Sequence, residues 1–177
     1  IGMGAFGEAT ILSVTLPSSL THIGEGAFEM CNVEEITIPS GVKVIEFATF
    51  WACRNLKSAT IPEGVTSIGE GAFYKCFKKR SGGSHPEITI PSSVTSIGAR
   101  AFEDCELEVV RVSSDEYVER LKQMLAASGL DVSKVRFEVT VPPDDPPDDP
   151  PDDPLDVYTY GKIFVDYLGD PLSFVQA

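Results

Sequence analysis

Long apolar runs, histidine and positive charge are all scarce in this chain, and each shortage closes off a class of function. No apolar stretch in the 177 residues approaches the roughly 18 needed to cross a bilayer as a helix, so no membrane span is expected. His22 and His85 are the two histidines, and no Cys, Ser or Glu stands near either at a spacing that repeats a catalytic motif. Lysine and arginine number 14 against 27 acids, for a net charge of −13. That balance argues against nucleic acid as a partner, because phosphate backbones demand clustered cations. The expectation is a protein that is not an enzyme, with no catalytic residues, no cofactor and no metal site.

What the chain has in quantity is repetition. A line of about 23 residues recurs: Ile-Gly-x-Gly-Ala-Phe, then Cys, then Ile-Thr-Ile-Pro, then Val three residues past the proline. Phe6, Phe28, Phe50, Phe73 and Phe102 fall at steps of 22, 22, 23 and 29. Ala5, Ala27, Thr49, Ala72 and Ala101 precede them, while Pro17, Pro39, Pro62 and Pro91 each close an apolar run. A register this fixed implies stacked repeats, hence a solenoid. The long step holds an insertion between Phe77 and Pro86 that carries Lys78, Lys79 and Arg80.

Within each copy, the segments around Thr15, Thr37, Thr60 and Thr89 alternate apolar and polar residues, the period of a short strand with one buried face. Val14 and Leu16, Ile36 and Ile38, Ala59 and Ile61, Ile88 and Ile90 should point inward. Stacked in register, the strands make a parallel sheet, and each following proline, which has no N–H for the ladder, ends its strand. Val or Leu at 20, 42, 65 and 94 and Ile at 23, 45, 68 and 97 should turn inward as the chain returns. Phe and Cys, three apart, fit one side of a single helical turn.

The repeated Leu12-x-x-x-Leu16-Pro17-x-x-Leu20, joined to Ile23-Gly24-x-x-Ala27-Phe28-x-x-Cys31 and their successors, resembles the BspA-like, or Treponema-type, subclass of leucine-rich repeats. The resemblance covers residues 1 to about 112. It implies an α/β repeat solenoid, a curved right-handed coil with a parallel sheet on its concave side. The Asn that ordinary leucine-rich repeats carry after the strand is replaced by Ser19, Gly41, Gly64 and Ser93. A cell-surface or secreted adhesion role is also implied by the resemblance. Ile1 already stands inside a repeat, so the sequence is expected to start downstream of the natural N-terminus, where a signal peptide could have been.

Four segments follow from these patterns: repeats over 1–112, a cap over 113–141, a linker over 142–154 and a tail over 155–177. For the cap, Ser113 to Glu116 has capping-box spacing, with Val118, Leu121 and Leu125 on one helical face, Tyr117 and Met124 at its border, and Gly129 as a stop. Residues 135–141 alternate as a strand, completing a crossover that covers the last coil. From Pro142, Pro-Pro-Asp-Asp recurs three times to Pro154, an extended spacer of about 3.1 Å per residue. Residues 142–177 hold −8 of the net charge. The aromatic-rich tail reads as disordered, as a hairpin added to something else, or as the start of a further domain.

Cys31, Cys53, Cys76 and Cys105 occupy one place in successive repeats, so they should form a column with steps of about 4.8 Å. Four sulfurs strung over roughly 14 Å cannot surround a zinc ion with Zn–S bonds near 2.3 Å. A bridge between neighbours is harder to exclude, but parallel Cβ vectors hold the Cβ atoms near 5 Å, beyond the usual disulfide range of about 3.5–4.5 Å. Buried reduced thiols are the expectation. The Gly-x-Gly segments at Gly24, Gly26 and Gly69, Gly71 recur with the repeat and lack the lysine of a phosphate loop, so turns explain them.

The outward strand residues are the candidate binding face: Ser13, Thr15, Glu35, Thr37, Ser58, Thr60, Glu87 and Thr89, continued by Arg111. Thr there suits a strand, and it also suits a surface on which solenoids hold partners. Lys78, Lys79 and Arg80 form a second candidate, either a neutral flexible loop or a contact for an acidic partner. The functional expectation is a non-catalytic module that binds a protein or glycan through its concave sheet. Two other readings stay open: the targeting arm of a larger enzyme or signalling protein, and a structural spacer.

Overall fold

The structure, a computed structural model, describes residues 1–79 and 85–140; Arg80, the 142–154 linker and the 155–177 tail lie outside the described residues. All described residues belong to a compact unit running from Ile1 to Pro142. In chain order the elements are strands β1 (Glu35–Thr37), β2 (Val44–Ile45), β3 (Ser58–Thr60), β4 (Ser67–Ile68), β5 (Glu87–Thr89), β6 (Ser96–Ile97) and β7 (Val109–Val112), then helix α1 (Asp115–Ala127), a 3-10 turn (Val132–Lys134) and strand β8 (Arg136–Val139).

Strands β1, β3, β5, β7 and β8 pair in that order into one parallel sheet, so the repeat is a coil of a solenoid. Their central residues align as Ile36, Ala59, Ile88, Val110 and Phe137. The first four are fully buried, as the alternation requires. The strand anticipated at Val14–Leu16 is reduced to one parallel bridge from Ser13 to Glu35. A second sheet, β2 with β4 and β6, was not anticipated. Its strands are two residues long, too short to show a period, although Ile45 and Ile68 do point inward.

The Phe-x-x-Cys segment is not a helical turn. Cys31, Cys53 and Cys76 each donate their N–H to the Phe three residues back at 3.1 Å, but the intervening Met30, Ala52 and Lys75 take φ of 54°, 58° and 57°. This geometry lets alternate N–H groups point along the stack: Phe28 reaches the Thr49 carbonyl at 2.9 Å and Met30 reaches that of Trp51 at 2.7 Å. A helical turn would have kept those donors for itself. The glycines serve the same turns. Gly26 and Gly71 adopt φ of 58° and 63°, and a Cβ on Gly69 would sit 2.8 Å from the Glu46 carbonyl carbon of the preceding coil. These are turn and close-approach positions, not phosphate cradles.

Between sheet and turns runs a column of phenylalanines. Phe6, Phe28, Phe50, Phe73 and Phe102 stack at centroid distances of 5.1, 5.4, 5.2 and 5.3 Å with planes within 11° of parallel. The offset-stacked range adds stabilisation beyond the area each ring buries.

The cap differs in detail from expectation. Ser114, not Ser113, begins α1, and it makes no side-chain capping bond. Because β7 stays in the sheet through Val112, paired with Val139, Ser113 is held at the strand end. There its hydroxyl donates to Glu63 at 2.9 Å and accepts the Ser92 N–H at 3.2 Å. Tyr117, Leu121 and Leu125 form the buried stripe while Val118 and Met124 border it, because the Tyr117 hydroxyl reaches the Val94 carbonyl at 2.6 Å. Burial raises the phenol of Tyr117 to about 12. Gly129, at φ 96°, donates to Ala126 while Leu130 donates to Leu125, a Schellman ending. Strand β8 then covers the last coil, and of the described part of the expected 135–141 strand it leaves out Val135 and Thr140.

Phe50 lies in the middle of the column with no exposed surface. Phe50→Ala should lower the unfolding free energy by about 3–5 kcal/mol, read from urea denaturation. A loss near that of an exposed substitution, below about 0.5 kcal/mol, would show that the ring column does not carry the core.

Candidate functional site

Two outward rows cross the main sheet. Pairing places Ser13, Glu35, Ser58, Glu87, Val109 and Arg136 side by side in one, and Thr37, Thr60, Thr89, Arg111 and Glu138 in the other. The structure therefore brings the expected face together, with Thr15 exposed on the coil before it. Thr37 and Thr60, like Ser13 and Glu35, are exposed; Ser58, Glu87, Thr89 and Arg111 are half-buried.

The two ends of this face differ electrostatically. Arg111 sits between two carboxylates, 2.9 Å from Glu87 and 3.5 Å from Glu138, and Arg136 lies 2.8 Å from Glu138. Four charges thus neutralise one another over β5, β7 and β8. Glu35 has no ion-pair partner among the described residues. The open end of the face consists of hydroxyls and one free carboxylate; the capped end is a closed ion-pair network. Val109 is buried within its row, and the residues that sequence reasoning missed are Arg136 and Glu138. The Arg-x-Glu alternation inside 135–141 was the available signal for the last two, but only the β7 to β8 register shows which residues they face.

The basic insertion is bound to the chain's own acids. Lys78 pairs with Glu106 at 3.0 Å, whose other oxygen accepts the Lys79 N–H at 3.0 Å. Lys79 Nζ lies 2.5 Å from Glu108, and His85 Nδ1 contacts the other Glu108 oxygen. Hydrogen bonds from Lys78 and then the Lys79 backbone lower the Glu106 carboxyl, and those from Lys79 and then His85 lower that of Glu108. Both described lysines of the loop are therefore committed locally.

The cysteines are all free thiols, each aimed at a carbonyl of the preceding coil. Cys53 reaches Phe28 at 2.9 Å, Cys76 reaches Phe50 at 2.9 Å and Cys105 reaches Phe73 at 3.0 Å. A hydroxyl at Cys53, Cys76 or Cys105 would therefore find a carbonyl to donate to. Burial raises Cys31 and, further, Cys76, and brings Cys105 to about 12. Among the described residues, no three His, Cys, Asp or Glu side chains converge as a metal site would require.

Against known families, the profile described as BspA type leucine rich repeat region (6 copies) matches residues 1–108 and 80–137. The chain belongs to the BspA-type leucine-rich repeat family. Among solved structures, a leucine rich cell surface protein from Faecalibacterium prausnitzii A2-165 is similar, with 31% identity and a TM-score of 0.57 over 74% of this chain and 32% of that one. A leucine-rich repeat protein from Bacteroides ovatus ATCC 8483 shares 22% identity with a TM-score of 0.33, over 78% of this chain and 42% of that one. This chain thus spans about a third of the first protein and under half of the second. No curated protein matches.

At pH 8 the native thiols should resist iodoacetamide, because burial holds Cys31, Cys76 and Cys105 in the unreactive protonated form; all four should react in denaturant. For Cys105 the folded pKa of about 12 exceeds the ordinary 9.0, so its stabilisation is complete below pH 9 and is lost as pH rises toward 12. Cys53→Ser should cost about 1 kcal/mol or less, since its hydroxyl keeps the Phe28 carbonyl. Rapid labelling of the native protein would contradict the thiol-to-carbonyl column.

Proposed function

We propose that this domain is a non-catalytic interaction module that holds a protein or glycan partner on the open end of its concave sheet. The single observation that carries the reading is the asymmetry of the outward face. Ser13, Thr15, Glu35, Thr37 and Thr60 stand exposed, whereas the charges nearer the cap satisfy one another. Hydroxyls and a free carboxylate on a rigid sheet can exchange water for a ligand's polar groups, while an ion pair would first have to be broken. Solenoids use such extended faces for binding.

The bacterial protein with a TM-score of 0.57 is a cell surface protein, and family membership favours the same setting for this one. Among the described residues no helix is long and apolar enough to cross a membrane. The insertion is a weaker candidate surface, since Lys78 and Lys79 already hold Glu106 and Glu108.

The test compares three proteins on one glycan and peptide array: the unaltered chain, Glu35→Lys with Thr60→Lys, and Lys78→Ser with Lys79→Ser. Features bound by the unaltered chain should weaken about tenfold or more with the sheet variant and persist with the loop variant. Both variants should melt as the parent does, because exposed charges contribute little to folding. Binding kept by the sheet variant and lost by the loop variant would move the site to the insertion.

A further inference from the structure

Away from the strands of the main sheet, the turns carry a groove of about 490 Å3 that the strand face does not explain. It is lined by Met30, Trp51 and Tyr74 together with the polar Asn32, Arg54 and Lys75. We propose that this groove is a second binding site, specific for an acidic carbohydrate whose sugar ring lies against Trp51 and whose carboxylate is held by Arg54 and Lys75.

Three features converge on that ligand. The first is a built aromatic platform. Trp51 packs against Tyr74 at 4.1 Å between centroids, and the Arg100 guanidinium lies 4.8 Å from the Tyr74 ring and 5.6 Å from that of Trp51. Beneath the indole sits Gly71, where a Cβ would meet ring carbons at 2.6 and 2.7 Å. Only glycine lets the ring lie so close to the backbone, and Arg100 is itself fixed by Glu103 at 2.6 Å. The pre-set indole plane of Trp51, held by Tyr74 tilted 35° against it, suits the C–H face of a sugar, for which little ordering cost remains on binding.

The second feature is the pattern of charge. In a chain of net charge −13, the described cations are nearly all paired with carboxylates or backbone carbonyls. Among the described residues Lys43, Arg54, Lys75 and Arg120 have no carboxylate partner; Lys43 and Arg120 reach backbone carbonyls instead, while Arg54 and Lys75 have neither kind of partner and Lys75 lies 4.9 Å over the Tyr74 ring. Both line this groove. Two cations left without anions beside an aromatic platform favour a ligand that brings its own carboxylate.

The third feature weighs against the obvious competitor. Extended peptides are commonly captured through main-chain hydrogen bonds at a strand edge. Here the backbone donors of the lining residues are already spent, between coils by Met30 on Trp51 at 2.7 Å, Ala52 on Tyr74 at 2.7 Å and Lys75 on Glu103 at 3.0 Å, and within the turns by Trp51, Arg54 and Tyr74. Recognition falls to side chains, as sugar hydroxyls and carboxylates require.

Trp51 is the single tryptophan, so its fluorescence reports this groove alone. The whole chain is titrated with tri-galacturonic acid and 3′-sialyllactose as probes, and with galactotriose and a tri-glutamate peptide as controls. Saturable emission change with either acidic sugar, at a Kd on the order of 1 mM or tighter, is expected, with the neutral sugar and the peptide at least about tenfold weaker. Arg54→Ser with Lys75→Ser should remove the preference for the acidic sugar at unchanged melting temperature, and Trp51→Ala should abolish binding by calorimetry. Glu35→Lys with Thr60→Lys should leave the titration intact, which separates this site from the sheet face. A flat response to both acidic sugars, equal binding of the neutral sugar, or preference for the peptide would each overturn the proposal.

Discussion

Every coil in this protein must satisfy its backbone on the coil beside it, and the rest of the structure follows from that requirement. A single repeat of about 23 residues has three-residue strands, tight turns and no interior of its own, so its donors and acceptors point along the stack. The main sheet, the short second sheet and the ladder between turns are three tracks of the same contact. Glycine at 24, 69 and 98 is needed because a side chain there would strike the backbone of the neighbouring coil. The phenylalanine spacing of 5.1–5.4 Å is likewise the coil spacing made visible in the core.

Such a stack makes folding and recognition share the same residues only sparingly. Inward positions are fixed by contacts to both neighbours, whereas outward positions in the same strands carry almost no obligation to the fold. The proposed sheet face at Thr37 and Thr60 lies at such strand positions, and the proposed groove at Trp51 lies on the turns. Their chemistry differs accordingly. Hydroxyls spaced by the strand register make a polar surface, while the turns after Phe50 and Phe73 supply Trp51, Tyr74 and Lys75 to the groove.

The repeat and its inward residues were legible because identical spacing over several copies leaves one consistent fold, and the strand centres Ile36, Ala59 and Ile88 lie where alternation placed them. The turns were misread at Phe-x-x-Cys, since a spacing of three fits a helix and a pair of tight turns equally; only the left-handed φ of Met30, Ala52 and Lys75 separates them. The capping serine was misplaced by one residue because Ser113 and Ser114 are chemically alike and the extent of β7 decides between them. Of the candidate face, alternation within each strand showed which residues point outward. Which of them are free was invisible, because the Glu87, Arg111 and Glu138 network joins residues far apart in sequence through the pairing of β5, β7 and β8.

The thiol column governs the fate of the chain when it opens. Each sulfur is shielded only while the coil beside it stays in place, so loss of packing anywhere in the stack uncovers thiols together with apolar surface. In an oxidising medium, cross-linking of those thiols would then compete with re-coiling, and unfolding would become a one-way event. The working lifetime of the domain outside a reducing cell would be set by how rarely it opens, a rate, rather than by the free-energy difference between its folded and unfolded states.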